Sequence, residues 1–180
     1  MSVKLLLQSC CAPCSTVALE RLHAAGYDVT VFYCNPNIFP EEEYNKRCGE
    51  QKRLLSALPH EVGFIESPYD HESFLAIARG YESEPEEGAR CRRCFELRMR
   101  ETAHAAAERG FEVISSTITT GPRKRAADVN VAGEAASAEF GVRWLTEDFK
   151  KRDGYKRSIE ISKEHELYRQ NYCGCEFSMR

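Results

Sequence analysis

With 180 residues, 42% hydrophobic and 29% charged, the chain is long enough to bury roughly two-thirds of its unfolded surface in one core, so it needs no cross-links to fold. A net charge of −3 excludes a bulk polycation, and no apolar run approaches the ~18 residues that a membrane span needs. The opening MSVKLLLQSCC has neither the long apolar region nor the small-residue cleavage site of a secretory leader, so a cytoplasmic location is expected, where the nine cysteines point to metal binding or catalysis before disulfides.

In chain order, residues 3–8 (VKLLLQ) form a short apolar run that predicts a buried strand ending at the first cysteines. Residues 15–25 place Val17, Ala18, Leu22 and Ala25 at helical spacing, and Gly26 stops that helix. Residues 28–33 (DVTVFY) are β-branched and aromatic, hence a strand, and Asn35-Pro36-Asn37 is a turn. A charged amphipathic helix over 41–58 ends before Pro59, followed by a strand over 61–66 and a short helix over 70–79. The polar, acidic stretch 80–90 is expected to be a loop, and 94–109 a helix stopped by Gly110. A strand over 111–117, a loop over 119–125, an alanine-rich helix over 126–140 and a short strand over 141–145 follow, with mixed helix and loop over 147–180. This alternation argues for right-handed βαβ units. The expected fold class is α/β: a single Rossmann-like (HUP-like) domain over residues 1–180, with a mostly parallel five-stranded sheet flanked by helices and a helical C-terminal extension. Ligands bind such sheets outside the carboxyl ends of the strands, which puts the first cysteines and residues 117–121 on the functional rim.

Seven cysteines fall in three tight groups, Cys10-Cys11-Ala12-Pro13-Cys14, Cys91-Arg92-Arg93-Cys94 and Cys173-Gly174-Cys175. Seven thiolates exceed what one four-coordinate ion takes. They divide into four for an iron–sulfur cube and three for a neighbouring metal with an open position. Structural zinc and a dithiol redox pair are the other readings of the same residues, since C-x-x-C and C-x-C occur in both. Cys34 and Cys48 stand alone and are expected to be small buried hydrophobes. The five histidines show no H-E-x-x-H spacing and are expected to be surface or core residues. There is no G-x-x-x-x-G-K-[ST] or G-x-G-x-x-G, and cysteines stand after the first strand where a phosphate loop would sit, so ATP use is not expected.

Charge is uneven. Residues 1–120 hold 13 Lys+Arg against 18 Asp+Glu, whereas residues 121–180 hold 12 against 10, with basic runs at Arg123-Lys124-Arg125, Lys150-Lys151-Arg152 and Lys156-Arg157. Such patches on an acidic protein fit a polyanionic partner, or a solvated surface.

With these motifs assembled, the chain resembles the QueH family of epoxyqueuosine reductases over nearly its whole length. CCAPC at 10–14, YCNPNIFPEEEYNKR at 33–47, RCRRCFELR at 90–98, STITTGPRK at 116–124 and DFKKRDGYKRSIEISKEHELYRQNYCGC at 148–175 carry the resemblance. It implies reductive removal of the epoxide oxygen of epoxyqueuosine at the tRNA wobble position, without cobalamin, at a [4Fe-4S] cluster beside a mononuclear iron. The implied ligands are Cys10, Cys11, Cys14, Cys91, Cys94, Cys173 and Cys175. Cys14 is assigned to the single iron, because related sequences place aspartate there; the other six stay undivided. A metal next to the cluster can bind the epoxide oxygen as a Lewis acid. Tyr172, Tyr168 and Asp70 are the candidate proton donors, with packing around the cluster the alternative for the tyrosines. The implied partners are tRNA and an electron donor, with no membrane. Arg123, Lys124, Lys151, Arg152, Lys156 and Arg157 are the candidate phosphate contacts. Arg169 and Gln170 are candidates to stack on or contact the splayed base, together with Tyr168, and Thr119 and Thr120 to touch it from the rim. Arg157 and Arg169 have internal ion pairs as their alternative.

Overall fold

A computed structural model describes residues 2–179. Five strands, β1 (Lys4–Gln8), β2 (Asp28–Tyr33), β3 (Gly63–Glu66), β4 (Val113–Ser116) and β5 (Arg143–Trp144), form one sheet in the order β3-β2-β1-β4-β5. Every pairing is parallel. Six helices cover it: α1 (Ala12–Ala24), α2 (Glu41–Ala57), α3 (His71–Ala78), α4 (Ala89–Arg109), α5 (Ala126–Phe140) and α6 (Gly154–Glu164). Among the described residues no helix is long and apolar enough to cross a membrane.

The central strands β2, β1 and β4 are buried on both faces, as a parallel sheet requires. Side chains alternate along β1, so Leu5 and Leu7 pack with Val17, Leu19 and Leu22 of α1 and Leu54 of α2. Leu6 on the opposite face packs with Phe95, Met99 and Ala103 of α4 and Val129 and Ala136 of α5. Gly133 of α5 lets the Trp144 ring lie against that helix, since a Cβ there would stand 2.3 Å from the indole.

The α/β class and the parallel sheet are as the strand–helix alternation implies. Two helix starts differ. α1 begins at Ala12, three residues early, because Pro13 sits in its first turn, where its missing N–H has no role. α4 begins at Ala89, five residues before the expected start at Cys94, so Cys91 also lies within the helix and not on the loop before it. Residues Thr117–Thr120 form a 3-10 turn, where a loop from residue 119 was expected, capped by the Ser116 hydroxyl accepting from the Ile118 N–H.

After β1 the chain crosses to β2 on one side, whereas β4 leads to β5 on the other. The carboxyl ends of β1 and β4 therefore border the crevice in which sheets of this topology bind ligands. Cys10 follows β1 and Thr117 follows β4, and the Cys10 N–H donates to Thr117 Oγ1 across this point (3.3 Å).

Candidate metal centre

The start of α1 gathers the first three sulfurs. Cys11 is its N-cap, and Cys14 lies one turn into it. The Cys10, Cys11 and Cys14 sulfurs all lie within 4.8 Å of one another, with Cys10 and Cys11 3.8 Å apart. Four thiolates around one ion with metal–sulfur bonds of 2.3 Å stand about 3.8 Å apart, so this spacing suits three ligands of a single metal. Their protonation argues the same way. Hydrogen bonds with Cys11 and Cys14 hold the Cys10 thiol well below its ordinary value. The bond with Cys10 pushes Cys11 up to about 12, and Cys14 is driven well above its ordinary value by Cys10 and Cys11. The three thiols oppose one another's ionisation, and a bound cation would let all three ionise.

The other four cysteines are near enough for their charges to interact, and Cys173 shares a cavity wall with Cys10 and Cys14. Cys91 and Cys94, three apart on α4, share one helix face. Cys94 and Cys175 pack in one cluster with Phe74 and Ala78 of α3. Burial raises the Cys94 thiol to about 12, against the charge of Arg98 and together with those of Cys173 and Cys175. The charge of Cys173 also reaches Cys91.

The Cys173–Cys175 turn is held from three sides. Gly174, at φ +134, lies against Ile38 and Arg47 and accepts from the Phe39 N–H (2.9 Å). Arg47 of α2, 1% exposed, donates to the carbonyls of Cys173 (2.9 Å) and Tyr172 (3.3 Å) and to Glu43 (2.7 Å). His71 lies between the Pro36 carbonyl and the Glu176 carboxylate (2.7 and 3.0 Å), tethering the residue after Cys175. Under the first cysteines, Asn35 donates to the Ser9 carbonyl (2.7 Å), and Ser9 and Ser15 both bond Gln51 (2.6 and 2.7 Å). The motif resemblance covers Asn35 and Arg47 but gave no role to either, nor to Arg98. For Arg98 the signal was present, since it continues the Cys91, Cys94 face of α4 and is buried there.

A cavity of about 370 Å³ opens over these sulfurs, with Cys10, Cys14 and Cys173 in its wall. Arg123, Arg169, Gln170 and Tyr172 also line it. The Gln170 Oε1 atom is buried without a hydrogen-bond partner among the described residues. The Tyr172 hydroxyl donates to the Phe39 carbonyl (2.6 Å). Arg169 is exposed, with Nη1 3.5 Å from Ser162 Oγ.

Other sequence-chosen residues stand differently. Lys124 turns inward, its ammonium donating to Cys173 Sγ (3.0 Å), where a phosphate contact was expected. Burial lowers that ammonium, and the Cys173 charge outweighs it and raises it overall. Thr119 is not part of the cavity wall, and its hydroxyl accepts from the Phe149 N–H (3.1 Å) inside the fold. Thr120 reaches the cavity wall, but its hydroxyl donates to the Cys14 carbonyl (2.9 Å) and fixes the first turn of α1. Tyr168 bonds Glu43 through its hydroxyl (3.1 Å) under the Lys46 ammonium and is not part of the wall. Asp70 caps α3 by accepting from the Ser73 N–H (3.2 Å), also away from the wall. Arg157 is paired with Glu20 (2.8 Å), Glu160 and Glu164. Lys151, Arg152 and Lys156 are exposed. Cys34 and Cys48 are buried, and burial raises both thiols to about 11.

A family model described as epoxyqueuosine reductase QueH matches residues 5–180. The epoxyqueuosine reductase QueH of Staphylococcus epidermidis is 40% identical over 181 residues, covering 97% of this chain and 76% of that protein. The Acinetobacter baylyi protein of the same name is 40% identical over 178 residues, covering 98% and 81%. Among solved structures, a predicted subunit of tRNA methyltransferase from Methanocaldococcus jannaschii superposes with a TM-score of 0.58 at 11% identity, over 90% of this chain and 74% of that one, a likeness of fold alone.

Proposed function

The chain belongs to the epoxyqueuosine reductase QueH family, and on that premise we propose that it removes the epoxide oxygen of epoxyqueuosine at the tRNA wobble position. Two electrons and two protons convert the epoxide to the cyclopentene of queuosine and water. The observation that carries this reading is the placement of Cys10, Cys11 and Cys14 at single-ion spacing in a cavity at the β1–β4 switch point, beside the second cysteine group.

Cys10, Cys11 and Cys14 would hold a single iron, and Cys91, Cys94, Cys173 and Cys175 a [4Fe-4S] cluster, with neither cobalamin nor ATP. When bound, the metal centre supplies electrons one at a time and a Lewis-acidic position for the oxygen that leaves. The chain's own residues bind and orient. Gln170 offers its free acceptor to a donor on the base or its cyclopentane ring, and Arg169 at the cavity edge stacks on the splayed base. Arg123 meets a backbone phosphate at the mouth. Of the three proton-donor candidates only Tyr172 lines the cavity, and its hydroxyl would leave the Phe39 carbonyl to deliver the proton. The electrons come from an external donor, and a reducing cytosol keeps the sulfurs free to bind iron.

The test is an anaerobic assay. Protein reconstituted with iron and sulfide, plus dithionite, is incubated with epoxyqueuosine-containing tRNA, and the nucleosides are weighed. Loss of one oxygen from the modified base is expected. No loss in protein shown to carry its iron, or colourless protein holding zinc alone, refutes the reading.

A further inference from the structure

Among the described residues, three arginines are fully buried or nearly so: Arg47, Arg90 and Arg98, at 1%, 1% and 3% exposure. A buried guanidinium demands compensation. Arg47 has the Glu43 carboxylate and two carbonyls. Arg90 directs one terminal nitrogen at the carbonyls of Tyr81, Glu82 and Glu84. Arg98 forms no carboxylate pair among the described residues. Its one protein acceptor is the neutral amide oxygen Asn35 Oδ1 (2.6 Å), and its Nε is buried with no partner at all. That amide is itself fixed, with Nδ2 on the Ser9 carbonyl and Oδ1 also accepting from Gln8 (3.3 Å). The network therefore holds the guanidinium in place without neutralising it.

Arg98 has cysteines as neighbours on its helix face and in the cavity wall. It follows Cys91 and Cys94 on the same buried face of α4 and reaches the wall of the cavity that Cys10, Cys14 and Cys173 also line. Burial disfavours its charge, yet the charges of Cys94, Cys10, Cys173 and Cys34 raise its proton affinity overall. Cys10 belongs to the three-cysteine group, and Cys94 and Cys173 to the other.

We propose that Arg98 is a positioning residue for electron transfer: it keeps a fixed positive charge between the two cysteine groups and so favours the reduced form of the metal centre they hold. This rests on the metal reading above. One-electron reduction adds one negative charge to a thiolate-bound cluster, and net charge and hydrogen bonding near its sulfurs set its potential. A cation buried away from water acts on that added charge with little screening. Asn35 aims the cation, and Gln8 and Ser9, at the end of β1, aim Asn35.

The test compares wild type, Arg98→Gln and Arg98→Lys after anaerobic reconstitution, by iron and sulfide content and by a dithionite titration followed by electron paramagnetic resonance. Arg98→Gln is expected to bind iron and sulfide but to be harder to reduce by about tenfold in the equilibrium constant, ~59 mV for one electron. Arg98→Lys, which keeps the charge, is expected to titrate close to wild type. Failure of the Gln variant alone to assemble a centre, with the Lys variant titrating as wild type, also supports the charge role. A Gln variant with the wild-type midpoint overturns the proposal, as does a Lys variant with a shifted midpoint, or failure of both variants to assemble a centre. Wild-type protein that takes up no iron and sulfide overturns the metal reading, and this inference with it; every other adverse outcome overturns this inference alone.

Discussion

Cys14 lies one turn into α1 with its carbonyl held by Thr120 and its sulfur against Cys10 and Cys11. Its removal leaves the second cysteine group intact. Cys14→Ala is expected to keep its acid-labile sulfide, to lose about one iron per chain and to lose turnover; loss of the sulfide as well would place Cys14 on the cluster instead. Arg47 presents a different case, because it touches no sulfur and holds the backbone of the turn that carries two of them. Arg47→Ala leaves the Cys173 and Tyr172 carbonyls without their donor and Glu43 with the Tyr168 hydroxyl alone, and urea unfolding should show a loss of about 3 kcal/mol. Iron content should fall with it as the Cys173–Cys175 turn loosens. For Tyr172, the packing and proton-donor roles separate cleanly. Tyr172→Phe keeps the ring and removes the proton, so turnover should drop about 100-fold with iron content unchanged. Unchanged turnover would return Tyr172 to a packing role.

At the scale of elements, helix starts decide where ligands stand. Cysteine motifs look like loops in a sequence because they interrupt the apolar spacing that marks a helix. Here α1 and α4 run through theirs, and the caps at Cys11 and Gly88 have no side-chain hydrogen bond to announce them. Pro13 was the available signal for α1. The start of α3 is better marked, with Asp70 immediately before the helix and accepting from the Ser73 N–H. That cap occupies the carboxylate. Asp70→Ala should cost about 1 kcal/mol of thermal stability while leaving turnover untouched; a large drop in turnover would mean that Asp70 reaches substrate. The strands were legible from composition because parallel strands buried on both faces are continuous apolar runs. The edge strands β3 and β5 are shorter than expected, with four residues where six were expected and two where five were, since an edge strand has one neighbour to define it.

For the whole molecule, charge separates into cations that face solvent and cations that serve the fold. Arg123 lies exposed at the cavity mouth and Lys151 on the surface nearby in sequence to Phe149, whereas Arg157 is held by three glutamates. Binding to an anticodon stem-loop should show this difference. Arg123→Ala and Lys151→Ala should each reduce the slope of log affinity against log salt by about 0.7, the single-strand value per phosphate. Arg157→Ala should leave the slope unchanged; a fall equal to that of Arg123→Ala would mean that the Glu20 pair opens on RNA. The sequence by itself determined the alternation that makes a parallel sheet, the three cysteine groups, the absence of a phosphate loop and the motifs of the family, because each of these is local: period, spacing and residue order survive without coordinates. The tertiary structure alone decided that Cys10, Cys11 and Cys14 stand at single-ion spacing, that Lys124 turns in to Cys173, and that Arg98 is buried without an acid. Those outcomes depend on contacts between distant segments, such as Arg47 with Cys173, 126 residues apart. A cation in a sequence has the same letter whether its partner is water, a carboxylate or a sulfur, and only packing chooses among them.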